Sequence, residues 1–105
     1  MEQPSLAYIK QLSGGDEAFE TQLINVIQLE FPEEKEIYFK NIAEKKYKET
    51  AENVHKIKHK ISILGLKKSY EVAIKYEENL KENSIVLKEE FDSILNNITQ
   101  YLTTL

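Results

Sequence analysis

The chain has 105 residues, with fourteen lysines against eighteen Asp and Glu, a net charge of −4, and neither cysteine nor arginine. That length suits one domain just large enough to fold on its own core. The missing cysteines exclude a disulfide framework and a thiolate metal site. An acidic chain without guanidinium forks is poorly equipped for phosphate backbones and base edges, so nucleic acid is not expected as a partner. Met1-Glu2-Gln3-Pro4 has neither a basic nor an apolar region, and no apolar run approaches the length of a membrane span. A soluble, cytoplasmic protein is expected.

Proline and glycine are confined to Pro4, Pro32, Gly14, Gly15 and Gly65, and the remainder is rich in helix formers. This predicts an all-α chain with short connections. A first short helix spans about Ser5 to Leu12 and is stopped by Gly14-Gly15. Asp16 caps a long second helix whose inward stripe is Phe19, Leu23, Ile27 and Phe31. Pro32, followed by Glu33, Glu34 and Glu36, predicts a kink or a fresh first turn. The apolar pattern then resumes through Ile37, Tyr38, Ile42 and Ala43. A third helix covers about Tyr47 to Leu64, and a fourth about Lys67 to Lys81, burying Ser69, Ala73, Tyr76 and Leu80. Asn83 or Ser84 caps the fifth, whose Leu87, Phe91, Ile94, Ile98 and Tyr101 or Leu102 keep a near-heptad spacing. Short loops between long amphipathic helices predict an antiparallel up-down-up-down four-helix bundle with a short N-terminal helix, as a single domain over residues 1–105. The fourth and fifth helices show no spare apolar stripe, so a monomer is expected.

Within the third helix, Val54, Ile57, Ile61 and Leu64 form one buried stripe. At about 100° per residue, His55 lies about 140° from the centre of that stripe and points outward. A surface histidine is common, but this one opens the segment His55-Lys56-Ile57-Lys58-His59-Lys60-Ile61-Ser62-Ile63-Leu64-Gly65. That segment resembles the signature of histidine-containing phosphotransfer domains of bacterial-type phosphorelays: a histidine, a lysine three residues on, a small residue at four, and an apolar-Gly pair at nine and ten. His55, Lys58, Leu64 and Gly65 match. Val54 stands where a small residue is usual, and His59 where the family usually has glycine. Upstream, Leu12-Ser13-Gly14-Gly15-Asp16-Glu17-Ala18-Phe19 is similar to the family's turn into its second helix.

The resemblance implies that His55 is a phosphoacceptor, that the chain has no autokinase activity, and that it has no cofactor of its own. It implies as partners the receiver domains of response regulators, here of a hybrid histidine kinase and of a downstream regulator. Mg²⁺ is then expected on the partner receiver rather than on this chain. Residues 45–68 hold eight lysines against Glu49 and Glu52, while the remainder holds six lysines and sixteen carboxylates. The positive region centres on His55 and suits steering toward an acidic partner site, although lysine-rich helices are often no more than solvated faces.

Lys58, one turn after His55, can reach toward phosphoryl oxygens as a point charge. His59 leans back toward His55, since helical side chains tilt toward the N-terminus. In an antiparallel pair hinged at Gly65, residues about ten before and ten to twelve after lie at one level. Glu77 is then either an acceptor for a ring N–H of His55, which fixes its tautomer, or an ordinary surface glutamate. In the similar phosphotransfer domain of chemotaxis kinases an acidic residue at the matching position orients the histidine. Lys56 and Ser62, with the off-stripe Phe39 and Ile63 as an apolar rim, are the expected docking residues; Phe39 and Ile63 are core instead if the helix phases shift after Pro32.

His55 and His59 could share a metal, but no third ligand accompanies them and Lys56 stands where zincins have glutamate, so no metal site is expected. Two rival functions remain. A dimerisation and phosphoacceptor fragment of a histidine kinase follows its histidine with an acidic residue and, five residues on, a proline; Lys56 and Lys60 stand there, which disfavours it. A non-catalytic helical adaptor, a degenerate relay domain that docks a receiver without chemistry, draws support from His59.

Overall fold

In the computed structural model, which describes residues 2–105, the chain forms five helices and, among those residues, no strand. They are α1 (Ala7–Ser13), α2 (Glu17–Ala43), α3 (Tyr47–Ile63), α4 (Lys67–Lys81) and α5 (Lys88–Leu102). None is long and apolar enough to cross a membrane. α3 packs against both α2 and α4, and α5 packs against α4 and α2.

Local chemistry sets most of the boundaries. Gly14 takes the left-handed conformation (φ 56°) and its N–H bonds the Lys10 and Gln11 carbonyls, closing α1. Asp16 caps α2, its Oδ1 accepting from the Phe19 N–H at 3.1 Å. Gly65, at φ 78°, ends the α3 region in a conformation that disfavours any residue with a Cβ. No side chain of its own region caps α4; instead the Glu2 carboxylate accepts from the N–H groups of Lys68 (3.0 Å) and Ser69 (2.9 Å). Burial pushes the Glu2 carboxyl up, but these backbone bonds outweigh it and hold it below the usual range. Asn97 donates to the Glu2 carbonyl and the Ser5 N–H donates to Leu64, so the N-terminal residues strap the α3–α4 turn to α5.

One expected boundary is corrected, and of the two alternatives at Pro32 the fresh start falls away. α2 is continuous for 27 residues through Pro32, with no fresh start. Pro32 lacks an N–H, so the Gln28 carbonyl loses its helical partner. Side chains on either side of the gap are nevertheless tied down: Phe31 is buried, Gln28 donates to the Leu102 carbonyl, and the Lys35 ammonium donates to Thr99 at 2.8 Å. These anchors to α5 hold the helix through the proline. α5 begins at Lys88, not after an Asn83 or Ser84 cap. Asn83 (φ 62°) and Leu87 (φ 80°) are left-handed, Ser84 accepts from the Val86 N–H, and Asn79 donates to the Val86 carbonyl. Residues 83–87 are therefore spent on a turn.

The core joins Ile27, Phe31 and Tyr38 of α2, Val54, Ile57 and Ile61 of α3, Ala73, Tyr76 and Leu80 of α4, and Phe91, Leu95 and Ile98 of α5. Leu64 and Leu66, flanking Gly65, are fully buried, as is Ile9 of α1. Tyr76 and Tyr38 share a hydrogen bond at 2.8 Å, and the Tyr38 hydroxyl donates to Asp92 at 2.7 Å, which links α4, α2 and α5 through buried polar atoms. Phe19, expected in the inward stripe, is instead 45% exposed. The reason is length. Lys60 near the end of α3 bonds Glu30 and Glu34, and Asn53 bonds Asn41, so α3 runs beside the C-terminal half of α2 only. The first turns of α2 project past it in a molecule 44 Å long. Ile37 and Ala43 are likewise exposed.

Candidate functional site

The stripe of Val54, Ile57, Ile61 and Leu64 is completely buried, which turns His55 outward with its side chain 53% exposed. It does not face open solvent on all sides. Its Nδ1 lies 3.3 and 3.2 Å from the two carboxylate oxygens of Glu77, across the α3–α4 contact. Glu77 is only 7% exposed, so the reading of it as a surface residue is set aside. An ionised carboxylate can only accept, so Nδ1 carries a proton, and in the neutral ring the lone pair is on Nε2. Among the described residues Nε2 has no hydrogen-bond partner.

Three cationic or N–H groups converge on this one carboxylate. Lys58 donates to Oε1 at 3.1 Å, while Lys81 lies 3.3 Å from Oε2, the oxygen nearest His55. Burial pushes the Glu77 carboxyl up; the hydrogen bonds of Lys58 and Lys81, the charge of Lys58 and the bond to His55 reverse this and hold it below the usual carboxylate range. Glu77 therefore stays ionised near neutrality.

Lys58 is not placed as expected. Its side chain is only 13% exposed, its ammonium is held by Glu77, and the Tyr70 ring lies beneath it at 6.0 Å. It orients the carboxylate instead of standing free over the imidazole. His59 does lean back as expected: its exposed ring stands 5.2 Å from that of His55, edge to face at 88°. Lys56 is exposed and lines the same groove as His55. That groove, about 780 Å³, lies between α3 and α4, with Ala51 and Leu80 as apolar floor and Lys48, Lys56 and Lys81 on its walls.

The expected docking residues are spread along α3 and onto α2. Ser62 is exposed and borders a separate hollow with Lys67, Tyr70 and Ile74 of α4. Phe39 is 39% exposed and packs edge to face on Tyr38. The Asn41–Asn53 and Glu34–Lys60 pairs set Phe39 level with His55 on the α2 side. Ile63 is half-buried against the core and eight residues further along α3, about 12 Å at 1.5 Å per residue. Phe39 and Ile63 therefore do not stand side by side. Lys81 was missed at the sequence level, although it lies four residues after Glu77 on one helix face, the spacing at which such pairs meet.

Among the described residues no group of three or more His, Cys, Asp or Glu could hold a metal ion. What the arrangement can do is present a nucleophilic nitrogen. A buried carboxylate fixes the tautomer, and the opposite ring nitrogen stays open to an incoming electrophile. Comparison with protein-family models, curated proteins and solved structures gives no match in any of the three.

Proposed function

We propose that this chain is a phosphorelay intermediate that accepts a phosphoryl group on His55 from one receiver-domain aspartate and donates it to another. The observation that carries the reading is the Glu77 carboxylate on His55 Nδ1, with Nε2 left open at the surface. In the proposed step the Nε2 lone pair attacks phosphorus, the bond to the aspartyl oxygen breaks, and the carboxylate leaves with that electron pair. The Nδ1 proton stays in place, so the phosphorylated ring is cationic and Glu77 compensates its charge. The reverse step regenerates neutral imidazole. The chain supplies no nucleotide site and no autokinase activity, and Mg²⁺ belongs to the receiver.

The fold that serves this function is an up-down-up-down bundle of α2 to α5 with α1 as a short N-terminal helix, in a cytoplasmic monomer. The lysines of residues 45–68 steer it to the acidic pocket of a receiver. The test is incubation with a phosphorylated receiver domain. Label should pass to this chain as an acid-labile, base-stable modification; absence of transfer from every receiver offered would reject the reading.

One observation favours a second reading. The His59 ring, 5.2 Å from His55, occupies space that glycine would leave clear. On that reading the chain docks a receiver without chemistry. A His59→Gly variant that gains transfer where the wild type has none would establish it. A shorter phosphohistidine lifetime in His59→Gly would instead assign His59 as a donor to the phosphoryl oxygens.

A further inference from the structure

We propose that Lys81, on the last turn of α4, is the cation that moves from Glu77 to the phosphoryl group on His55, while Lys58 remains on the carboxylate. This rests on the reading of His55 as phosphoacceptor and assigns a residue outside the sequence signature.

The two lysines on Glu77 differ in exposure and in anchoring. Lys58 binds Oε1 and Lys81 lies on Oε2, and His55 Nδ1 approaches both oxygens, at 3.3 and 3.2 Å, so each ammonium is one shared atom away from the imidazole. Lys58 is 13% exposed and Lys81 63%. Lys58 is also held over the Tyr70 ring, so its withdrawal would break two contacts in a partly desolvated site. Lys81 leaves only an exposed i,i+4 pair, which is weak.

The charge changes of the step favour the same division. Attack by Nε2 makes the ring positive while Nδ1 keeps its proton, so Glu77 gains a full cationic partner from His55 itself. With Lys58 retained, Lys81 becomes surplus on the carboxylate at the moment a phosphoryl dianion forms on the far ring nitrogen. Lys81 lies on the wall of the groove that contains His55, and a lysine stem with its freely rotating bonds can re-aim its ammonium without backbone movement. Glu77 still keeps Lys58, so the buried carboxylate is not left unpaired.

The experiment charges His55 chemically, which separates this assignment from the relay function. The probe is phosphoramidate, acting on a His59→Gln background so that one histidine carries the label; the phosphoryl–nitrogen bond of the reagent breaks and ammonia leaves. Phosphorus NMR then follows the titration of the phosphoryl group and its rate of hydrolysis. Lys81→Met should raise the phosphoryl titration midpoint and shorten the lifetime by roughly two- to fivefold, the size of an exposed ion pair, with Lys81→Arg restoring both. Lys58→Met should lower the melting temperature and leave the midpoint nearly unmoved. The reverse pattern, with Lys58→Met shifting the midpoint and Lys81→Met silent, would overturn the proposal. So would failure of phosphoramidate to label His55. A charged His55 that exchanges with no receiver rejects the relay reading alone.

Discussion

At the residue scale the account depends on one carboxylate. Glu77 meets His55, Lys58 and Lys81 within 3.3 Å, and its depressed pKa couples the site to folding. A carboxyl whose folded pKa is lowered adds stability that is present above its unfolded value, about 4.3, and is lost as pH falls through the folded value. Glu77→Gln should therefore flatten the acid limb of a stability-against-pH curve, read by urea melts between about pH 6 and pH 3. It should also slow phosphotransfer, since a neutral amide compensates the cationic ring poorly. An unchanged acid limb would detach Glu77 from folding. Lys58→Met should cost about 1–3 kcal/mol, because it strips a buried acceptor of one partner. The pairing of Glu77 with His55 was legible because helices rise uniformly and Gly65 marks the hinge. The burial of Lys58 was not, because it depends on Tyr70, a partner that no spacing on α3 reveals.

At the scale of elements, α3 and α4 were legible almost to the residue, since an uninterrupted apolar stripe and Gly65 agree with each other. α2 and α5 were less so. Pro32 reads locally as a break, and only the anchoring of Gln28 and Lys35 to α5 explains a continuous helix. The start of α5 reads locally as Asn83 or Ser84, yet left-handed Asn83 closes α4, its N–H bonding the Leu80 carbonyl and the Ser84 N–H the Asn79 carbonyl, while Ser84 Oγ accepts from the Val86 N–H. Tertiary partners overrode local preference at Pro32, whereas at Asn83 the end of α4 claimed the residue first. Because Pro32 is exposed and leaves one carbonyl unpaired, Pro32→Ala should stabilise the fold by about 1–3 kcal/mol. A rise in the urea midpoint with unchanged slope would agree. A fall would mean that the rigid proline restricts the unfolded chain by more than the missing bond costs.

For the whole molecule, the distribution of charge matters more than its sum. Residues 45–68 are basic within an acidic chain, and the groove beside His55 has Lys48, Lys56 and Lys81 on its walls. Exposed charges are screened beyond about 8–10 Å at moderate ionic strength. Raising salt from low to physiological should therefore slow association with a receiver while changing dissociation little, as stopped-flow binding would show. Salt-independent association would make apolar docking dominant and the lysine cluster incidental. Phe39 and Ile63 lie about 12 Å apart along the helices, whereas Lys56 and Lys81 line the groove that holds His55, so the electrostatic term is expected to lead.

The most direct test asks where the phosphoryl group resides. Protein labelled with ¹⁵N at histidine is charged by a phosphorylated receiver, and phosphorus–nitrogen coupling identifies the bonded atom. The account predicts one phosphohistidine, at Nε2 of His55, absent from His55→Gln and retained in His59→Gln. Phosphorus on His59, on Nδ1 of His55, or still present in His55→Gln would contradict it.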